Sequence, residues 1–199
     1  TVDASGRRFA NEGLGGVFMA NAIAGLQDPQ GAVAIFDQRI WETAGREGAR
    51  PANALLDKAG ATIHRSNNLR DLAMLAGLPA EALEATVSAH NIAVETGKLD
   101  ALDPPRSNNA VNPARPIMVA PFFAVPLCAG ITYTMGGVAI DGQCRVMHRE
   151  GGVIEGLYAA GSTTGGHEGG PVAGYTGGLG KATTFGFHSG NCIGAALRQ

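Results

Sequence analysis

The sequence has few cysteines, little net charge and no long hydrophobic run, and each shortage excludes a class of function. Its three cysteines form no CxxC pair and have no metal-ligand spacing with the five histidines, so we expect reduced, mostly buried thiols and no metal site. A net charge of -2 provides no basic field for nucleic acid. No apolar run reaches the length of a membrane span, so neither nucleic acid nor a membrane is an expected partner.

The N-terminus lacks several features as well. Thr1 is not a methionine, and neither a charged leader nor a signal-type apolar stretch precedes the polar turn DASGRR. The dinucleotide fingerprint G-x-G-x-x-G after a first strand is also missing. We therefore expect the sequence to begin inside a larger protein, and, with no targeting signal visible, we expect a cytoplasmic location.

Glycine, by contrast, is abundant and concentrated between Leu157 and Phe187. The apolar run Leu157–Ala160 predicts a buried strand that breaks at Gly161, and a helix-compatible pattern resumes at Lys181–His188. Because each glycine costs backbone entropy, the clusters between them favour a backbone lying close to a flat or anionic group, with tight turns as the alternative. The amide groups and the positive dipole end of the following helix would face that group.

Periodicity and turn residues predict a mixed α and β fold in the rest of the chain. The clearest helix, Pro79–Glu95, carries His90 on its apolar stripe, where we expect a packed, hydrogen-bonded histidine rather than a ligand. Trp41 is predicted to be a packing residue, and the proline-bearing stretch Asp100–Pro116 a linker. Strands are predicted at 31–37, 62–65, 121–125, 131–140 and 144–148, and further helices at 14–26, 39–44, 52–59 and 69–76.

Three motifs occur in a recognisable order: GRRFANE from Gly6, TYTMGG from Thr132 and VIEGLYAAGSTTGG from Val153. Together they resemble the fumarate reductase and succinate dehydrogenase flavoprotein superfamily, which includes L-aspartate oxidase, tricarballylate dehydrogenase and the 3-ketosteroid dehydrogenases. The resemblance implies an α+β fold in which the N-terminal Rossmann part is missing. Its expected parts are a connection from the FAD domain (1–12), a cap domain (13–112) and the C-terminal part of the FAD-binding domain (113–199).

The resemblance also implies FAD as the cofactor. In the superfamily the GLYAAG strand and the following glycine loop wrap FAD, and the last amides of the loop point at the pyrimidine edge of the isoalloxazine ring. Since the N-terminal half of the FAD site, which would be the partner of this part, is missing, we expect the isolated fragment to be inactive and without FAD. Carried over by motif, the expected cofactor contacts are Ala160, Gly161, Ser162, Gly177, Gly178 and Leu179.

Two charged residues of the small-dicarboxylate enzymes are replaced by tyrosine. Tyr133 stands where fumarate reductases usually have a histidine, while Thr134 matches their threonine. Tyr175 occupies the slot of the carboxylate-binding arginine, as in the 3-ketosteroid dehydrogenases. Since a tyrosine hydroxyl is a neutral donor, we expect Tyr133 and Tyr175 to polarise a substrate oxygen. His167 and Glu168 are candidate general acids or bases, with plain loop polarity as the alternative.

The proton-delivering arginine of fumarate reductases and aspartate oxidases is missing. It should follow Glu12, but Gly13–Val17 has no ionisable group, so we do not predict fumarate reductase or succinate dehydrogenase activity. A ketone-activated, steroid-like or aromatic acid substrate, a small carboxylate as in tricarballylate dehydrogenase, and a non-catalytic domain without cofactor stay open, as does a homo-oligomer. For a small carboxylate Arg7, Arg8 or Arg115 would have to compensate, although Arg7, Arg8 and Glu12 are expected as exposed turn charges.

Overall fold

The computed structural model of the chain describes residues 1–47, 52–130, 136–167 and 177–198. Their helices and strands fall into two compact units, Thr1–Ala129 and Gly130–Gln199, and this mixed content confirms the predicted α+β class. The helices are α1 (Gly16–Ala24), α2 (Gln38–Glu42), α3 (Ala52–Ala59), α4 (Leu69–Leu75), α5 (Ala80–Thr96) and α6 (Gly178–Ala196). The strands are β1 (Ala32–Asp37), β2 (His64–Ser66), β3 (Phe122–Leu127), β4 (Arg145–Met147) and β5 (Val153–Tyr158).

The N-terminal unit is organised around a three-stranded antiparallel sheet in the order β1-β3-β2. The central strand β3 pairs with β1 so that Ala124 lies opposite Ile35. Strand β3 falls within the range expected for the FAD-binding domain, yet it belongs to the same compact unit as β1. The predicted domain boundaries refer to the intact protein and stay predictions.

The two faces of this sheet are covered differently. On one face, apolar side chains of β1 and β3 pack with those of α4 and α5 in one cluster that includes Leu72, Leu83 and Val87. On the other, the ring of Trp41 stacks on Phe123 at 4.9 Å between ring centroids and on Phe36 at 5.9 Å. Trp41 is therefore a packing residue, as predicted.

Helix α5 shows how well periodicity locates an element. It runs within one residue of the predicted range at each end and stops at Gly97, whose φ of +71° is left-handed. His90 is half-buried, and its Nε2 lies 2.9 Å from the carbonyl oxygen of Arg115. Burial lowers the pKa of His90, against the opposing effect of that carbonyl. The histidine is packed and hydrogen-bonded, as its place on the apolar stripe predicts.

The stretch predicted as a linker is instead hydrogen-bonded to residues on both sides of Glu12. The amide of Ser107 donates to Oδ1 of Asn11 at 2.9 Å, and the side chain of Asn109 donates to the carbonyl oxygen of Gly13 at 2.9 Å. A methyl group at Gly13 would overlap the carbonyl oxygen of Ser107. Proline and polar composition predict a linker, but these side-chain amides join the two segments.

Asp37 connects three segments of the N-terminal unit through one buried carboxylate. Its Oδ1 accepts from the amide of Ile40 at 2.9 Å and so caps α2. Its Oδ2 accepts from the amides of Met118 and Val119 at 2.8 and 2.9 Å. These bonds fix the end of β1 to α2 and to the segment that leads into β3.

The C-terminal unit contains an antiparallel hairpin of β4 and β5 and the long helix α6. The turn before β4 is closed by Asp141, whose carboxylate contacts Nη2 of Arg145 at 2.6 Å. The hydrogen bond from Arg145 lowers the pKa of Asp141. Of the predicted strand Ile131–Ile140, residues 131–135 lie outside the described residues, and Val138 and Ile140 form isolated bridges.

The prediction of a buried strand at residues 157–160 is wrong. Strand β5 ends at Tyr158, and the side chain of Leu157 is 46% exposed, as is much of Ile154. The reason is that, among the described residues, too little packs on these side chains to bury them. Apolar composition predicts a strand but not the layer that packs on it.

The prediction of mostly buried thiols is also wrong. All three cysteines are free, and of them Cys144 is buried, Cys192 half-buried and Cys128 exposed. Cys128 follows the last paired residue of β3 and therefore lies beyond the sheet. Burial raises the pKa of the Cys144 thiol.

Within the described ranges no helix is long and apolar enough to cross a membrane. The same residues contain no group of three or more His, Cys, Asp or Glu side chains placed to hold a metal ion.

Replacing Asp37 with alanine should destabilise the fold strongly. Three backbone amides would lose a charged acceptor inside the protein, which we expect to cost about 3 kcal/mol of unfolding free energy. Chemical denaturation measures this cost. The exposed Asp57 of α3 provides the control, because Asp57→Ala should change stability by less than about 0.5 kcal/mol. Equal effects of the two substitutions would contradict the connecting role of Asp37.

Candidate functional site

The first candidate site begins where the chain leaves β5. Ala160 is extended and leads into a 3₁₀ turn at Gly161–Thr163. Gly161 is buried with a left-handed φ of +70°, and a methyl group on it would lie 3.3 Å from Cα of Ala182 in α6. Its left-handed conformation favours glycine, and the close approach leaves little room for a side chain. The turn therefore packs backbone to backbone against the second turn of α6.

The start of α6 supplies the second part of this site. Gly177 caps the helix with a φ of +93°, and the first intrahelical bond runs from the amide of Lys181 to its carbonyl at 3.1 Å. The amides before Lys181 point out of the N-terminal end of the helix. A methyl group at Gly180 would meet nothing within 4 Å among the described residues. Glycine inside a helix costs about 1 kcal/mol, and packing against the described residues does not explain its use here.

A third segment lies beside the turn. The amide of Val138 donates to the carbonyl oxygen of Thr163 at 2.8 Å, and the amide of Gly165 donates to that of Val138 at 3.3 Å. A methyl group on Gly137 or on Gly165 would overlap the opposite backbone. The glycines of the TMGG and STTGG motifs thus allow two chain segments to meet without side chains between them.

The structure brings the predicted cofactor contacts of the two segments together. Gly161 lies against α6, at whose start Gly177 and Gly178 stand, while the side chain of Ser162 is exposed and that of Leu179 is 86% exposed. His167 is exposed, and its ring lies on Phe185 of α6 with 4.7 Å between centroids. Four predicted catalytic residues lie outside the described residues: Tyr133, Thr134, Glu168 and Tyr175.

Two residues of this site were not found from the sequence, Lys181 and Thr164. Lys181 is 6% exposed, and its Nζ donates to the carbonyl oxygen of Thr164 at 3.2 Å. Thr164 is fully buried, and its Oγ1 donates to the carbonyl oxygen of Gly161 at 2.7 Å. The sequence did contain a signal for Lys181, because it is the one charged residue among glycine and small residues in GGLGKATTF. Since charged residues are seldom buried without a partner, a lysine in such a setting indicates a specific contact.

The N-terminal unit contains a second candidate site, a cavity of about 520 Å³. Its polar lining includes Arg8, Glu12, His90, Arg106 and Arg115. Its apolar lining comes from β1, α2, α5 and the segment before β3, and includes Ile35, Phe36, Ile40, Val87, Val111 and Ile117.

The prediction that Arg8 and Glu12 are exposed turn charges is wrong, because the two side chains pair with each other in this cavity. Arg8 donates to both carboxylate oxygens of Glu12, at 2.6 and 3.2 Å, and also to the carbonyl oxygens of Ala10 and Pro104. The Arg8 side chain is 5% exposed, and that of Glu12 is 18% exposed. Nε of Arg106 lies 4.0 Å from Glu12. Arg7, by contrast, is exposed, as predicted.

Burial disfavours the ionised form of Glu12, but the hydrogen bonds of Arg8, the charge of the Thr1 amino group 3.1 Å away and the charge of Arg8 together outweigh burial and lower the pKa of Glu12 to about 2. Because this pKa lies below the value of about 4.3 in an unfolded chain, Glu12 stabilises the fold at every pH above that value. The contribution should be lost as the pH falls from about 4.3 towards 2.

The substitution Glu12→Gln tests this ion pair. It leaves the buried Arg8 guanidinium without its counter-charge, which should cost about 3 kcal/mol at neutral pH. Stability between pH 4.5 and 2 should then depend less on pH than in the wild type, as denaturation curves at several pH values would show. Glu84→Gln is the matched control, since it breaks the exposed pair with Arg70 and should cost less than about 1 kcal/mol. An equal loss in both variants would argue against a buried pair.

Comparison with known proteins shows what the chain is similar to. The sequence profile described as "FAD binding domain" matches residues 1–178 of the chain. The chain is 32% identical to 4-oxocyclohexanecarboxylate 2-dehydrogenase from Sinomonas cyclohexanicum, over 96% of its own length and 36% of that protein. It is 31% identical to the fumarate reductase (cytochrome) of Shewanella frigidimarina, over 84% of the chain and 27% of that protein.

A solved structure supports the same relationship. The fold resembles 3-ketosteroid delta1-dehydrogenase from Sterolibacterium denitrificans in complex with 1,4-androstadiene-3,17-dione, with a TM-score of 0.72 and 26% sequence identity. The alignment covers 98% of this chain and 38% of that one. The chain therefore spans about a third of the length of the relatives it matches.

Proposed function

Because the chain belongs to the FAD-binding domain family within the fumarate reductase and succinate dehydrogenase flavoprotein superfamily, we propose that the protein containing it is an FAD-dependent oxidoreductase. Its reaction is hydride transfer between the flavin and a carbon–carbon bond next to a carbonyl or carboxylate. FAD, when bound, supplies the two-electron chemistry, and the protein orients the substrate and moves the proton.

The observation that carries this proposal is the contact of Gly161 with Ala182. It places the turn after β5 beside the start of α6, so the two glycine-bearing segments of the predicted FAD site are neighbours with little side-chain material between them. The positive end of the α6 dipole favours negative charge at this place. Ala160, Gly161 and Ser162 would hold FAD on one segment, and Gly177, Gly178 and Leu179 on the other.

The substrate we propose carries a ketone. Tyr133 and Tyr175 place neutral hydroxyl donors where small-dicarboxylate enzymes have charged groups, and Thr134 adds a third hydroxyl. Neutral donors suit a carbonyl oxygen, which gains partial negative charge during the reaction. The similarity to 4-oxocyclohexanecarboxylate and 3-ketosteroid dehydrogenases supports this choice. His167 or Glu168 would move the proton.

A small carboxylate substrate is the second candidate, favoured by the similarity to fumarate reductase. It needs a cation, and Arg8 is committed to Glu12. Arg7 and Arg115 are exposed and remain the candidates for this role. Position 13 has no room for a side chain beside Ser107. These observations favour the ketone.

The proposal is tested on the natural polypeptide that carries this sequence. After purification it should show the visible absorbance of a flavin and release FAD on denaturation. It should reduce an artificial electron acceptor when supplied with a cyclic ketone that can be desaturated next to the carbonyl. A colourless protein that does not bind added FAD would support the non-catalytic domain and overturn the proposal.

Within this function, Tyr175→Phe should lower turnover at least tenfold, because the substrate oxygen loses one hydroxyl donor. The FAD content should not change, since the substitution removes no backbone amide. Tyr158→Phe is the control, because Tyr158 ends β5 and has no proposed role in catalysis. Steady-state kinetics with the cyclic ketone measures both variants, and turnover of Tyr175→Phe near that of the wild type would exclude the role of Tyr175.

A further inference from the structure

Lys181 stands in an electrostatically unfavourable place. It lies in the first turn of α6, where the helix dipole disfavours a positive charge. Its side chain is also buried, although a long charged side chain is seldom removed from water. A lysine here therefore depends on the partners of its ammonium group inside the protein.

The contacts of Lys181 lead directly to the turn after β5. Its Nζ donates to the carbonyl oxygen of Thr164 at 3.2 Å. Thr164 in turn donates to the carbonyl oxygen of Gly161 twice, from its amide at 3.1 Å and from Oγ1 at 2.7 Å. One side chain of α6 thereby holds the residue that closes the turn Gly161–Thr163.

We propose that Lys181 is a positioning residue, which sets the distance between the turn Gly161–Thr163 and the start of α6. The inference rests on the proposed function, in which these two segments supply the amides that contact FAD. There is little room between Gly161 and the backbone of Ala182, which limits how closely the segments approach. The Lys181 bond limits how far they separate. A cofactor that contacts both needs the two limits together.

The alternative for Lys181 is a purely structural role. In that case its loss would lower stability but leave the affinity of the folded protein for FAD unchanged. A positioning role predicts that affinity changes even well below the unfolding temperature, because the amides of one segment are displaced relative to those of the other.

The experiment uses the natural polypeptide with FAD removed and titrated back. Lys181→Met keeps most of the side-chain volume and removes the donor, and we expect it to raise the Kd for FAD at least tenfold and to alter the shape of the flavin absorbance band. Lys181→Arg keeps a charged donor and should recover most of the affinity. The exposed Arg149 of the same unit provides the control, since Arg149→Met should leave the Kd unchanged.

The possible outcomes separate the two proposals. If the wild type binds FAD and Lys181→Met binds it equally well, the positioning role is excluded while the proposed function stands. A lower unfolding temperature with an unchanged Kd excludes the positioning role in the same way. If the wild type binds no FAD, the proposed function fails and the positioning role fails with it. Should Lys181→Met not fold, Lys181→Gln, which removes the charge and shortens the reach, provides the same comparison.

Discussion

The close approach of two backbones at Gly161 is the constraint on which the C-terminal unit depends. The turn after β5 reaches α6 because Gly161 has no side chain and accepts a left-handed φ. Gly137 and Gly165 repeat the arrangement on the other side of the turn. With three segments this close, backbone hydrogen bonds join them directly, and the side chains of Lys181 and Thr164 add bonds that hold the turn in place.

In the N-terminal unit, side-chain interactions hold the connecting segments to a small sheet. These interactions involve buried carboxylates, because one carboxylate can accept several amide hydrogen bonds from segments distant in sequence. Asp37 accepts hydrogen bonds from α2 and from the segment before β3 in this way. Glu12 forms an ion pair with Arg8 and lies near Arg106. Arg106 in turn donates to a carbonyl oxygen of the stretch predicted as a linker. The charged groups of this unit thus act mainly on its own architecture.

The sequence predicts elements better than it predicts what covers them. Helix α5 and strand β1 follow from periodicity and end signals that are local, so their bounds were predicted within one residue. The exposure of Leu157 could not be predicted, because burial depends on a layer supplied from elsewhere. The burial of the Arg8–Glu12 pair was missed for a related reason, since Pro104 and Arg106, which lie beside it, are more than ninety residues away in sequence. Gly161 and Gly177 both have a left-handed φ, which agrees with the glycine-rich motif in which they lie, while their role as FAD contacts stays a prediction.

The distribution of charge bears on the choice of substrate. An arginine that binds a substrate carboxylate must keep its guanidinium available, since a buried ion pair already formed within the protein has to be broken before the substrate can be bound. Arg8 donates four hydrogen bonds within the unit and has little exposed surface, so it does not meet this requirement. A tyrosine hydroxyl is neutral at physiological pH, so it forms no ion pair that a substrate would have to displace. A site that relies on such hydroxyls selects its substrate by the oxygen atom that it polarises rather than by the net charge of the substrate. Such hydrogen bonds suit the neutral carbonyl oxygen of a ketone.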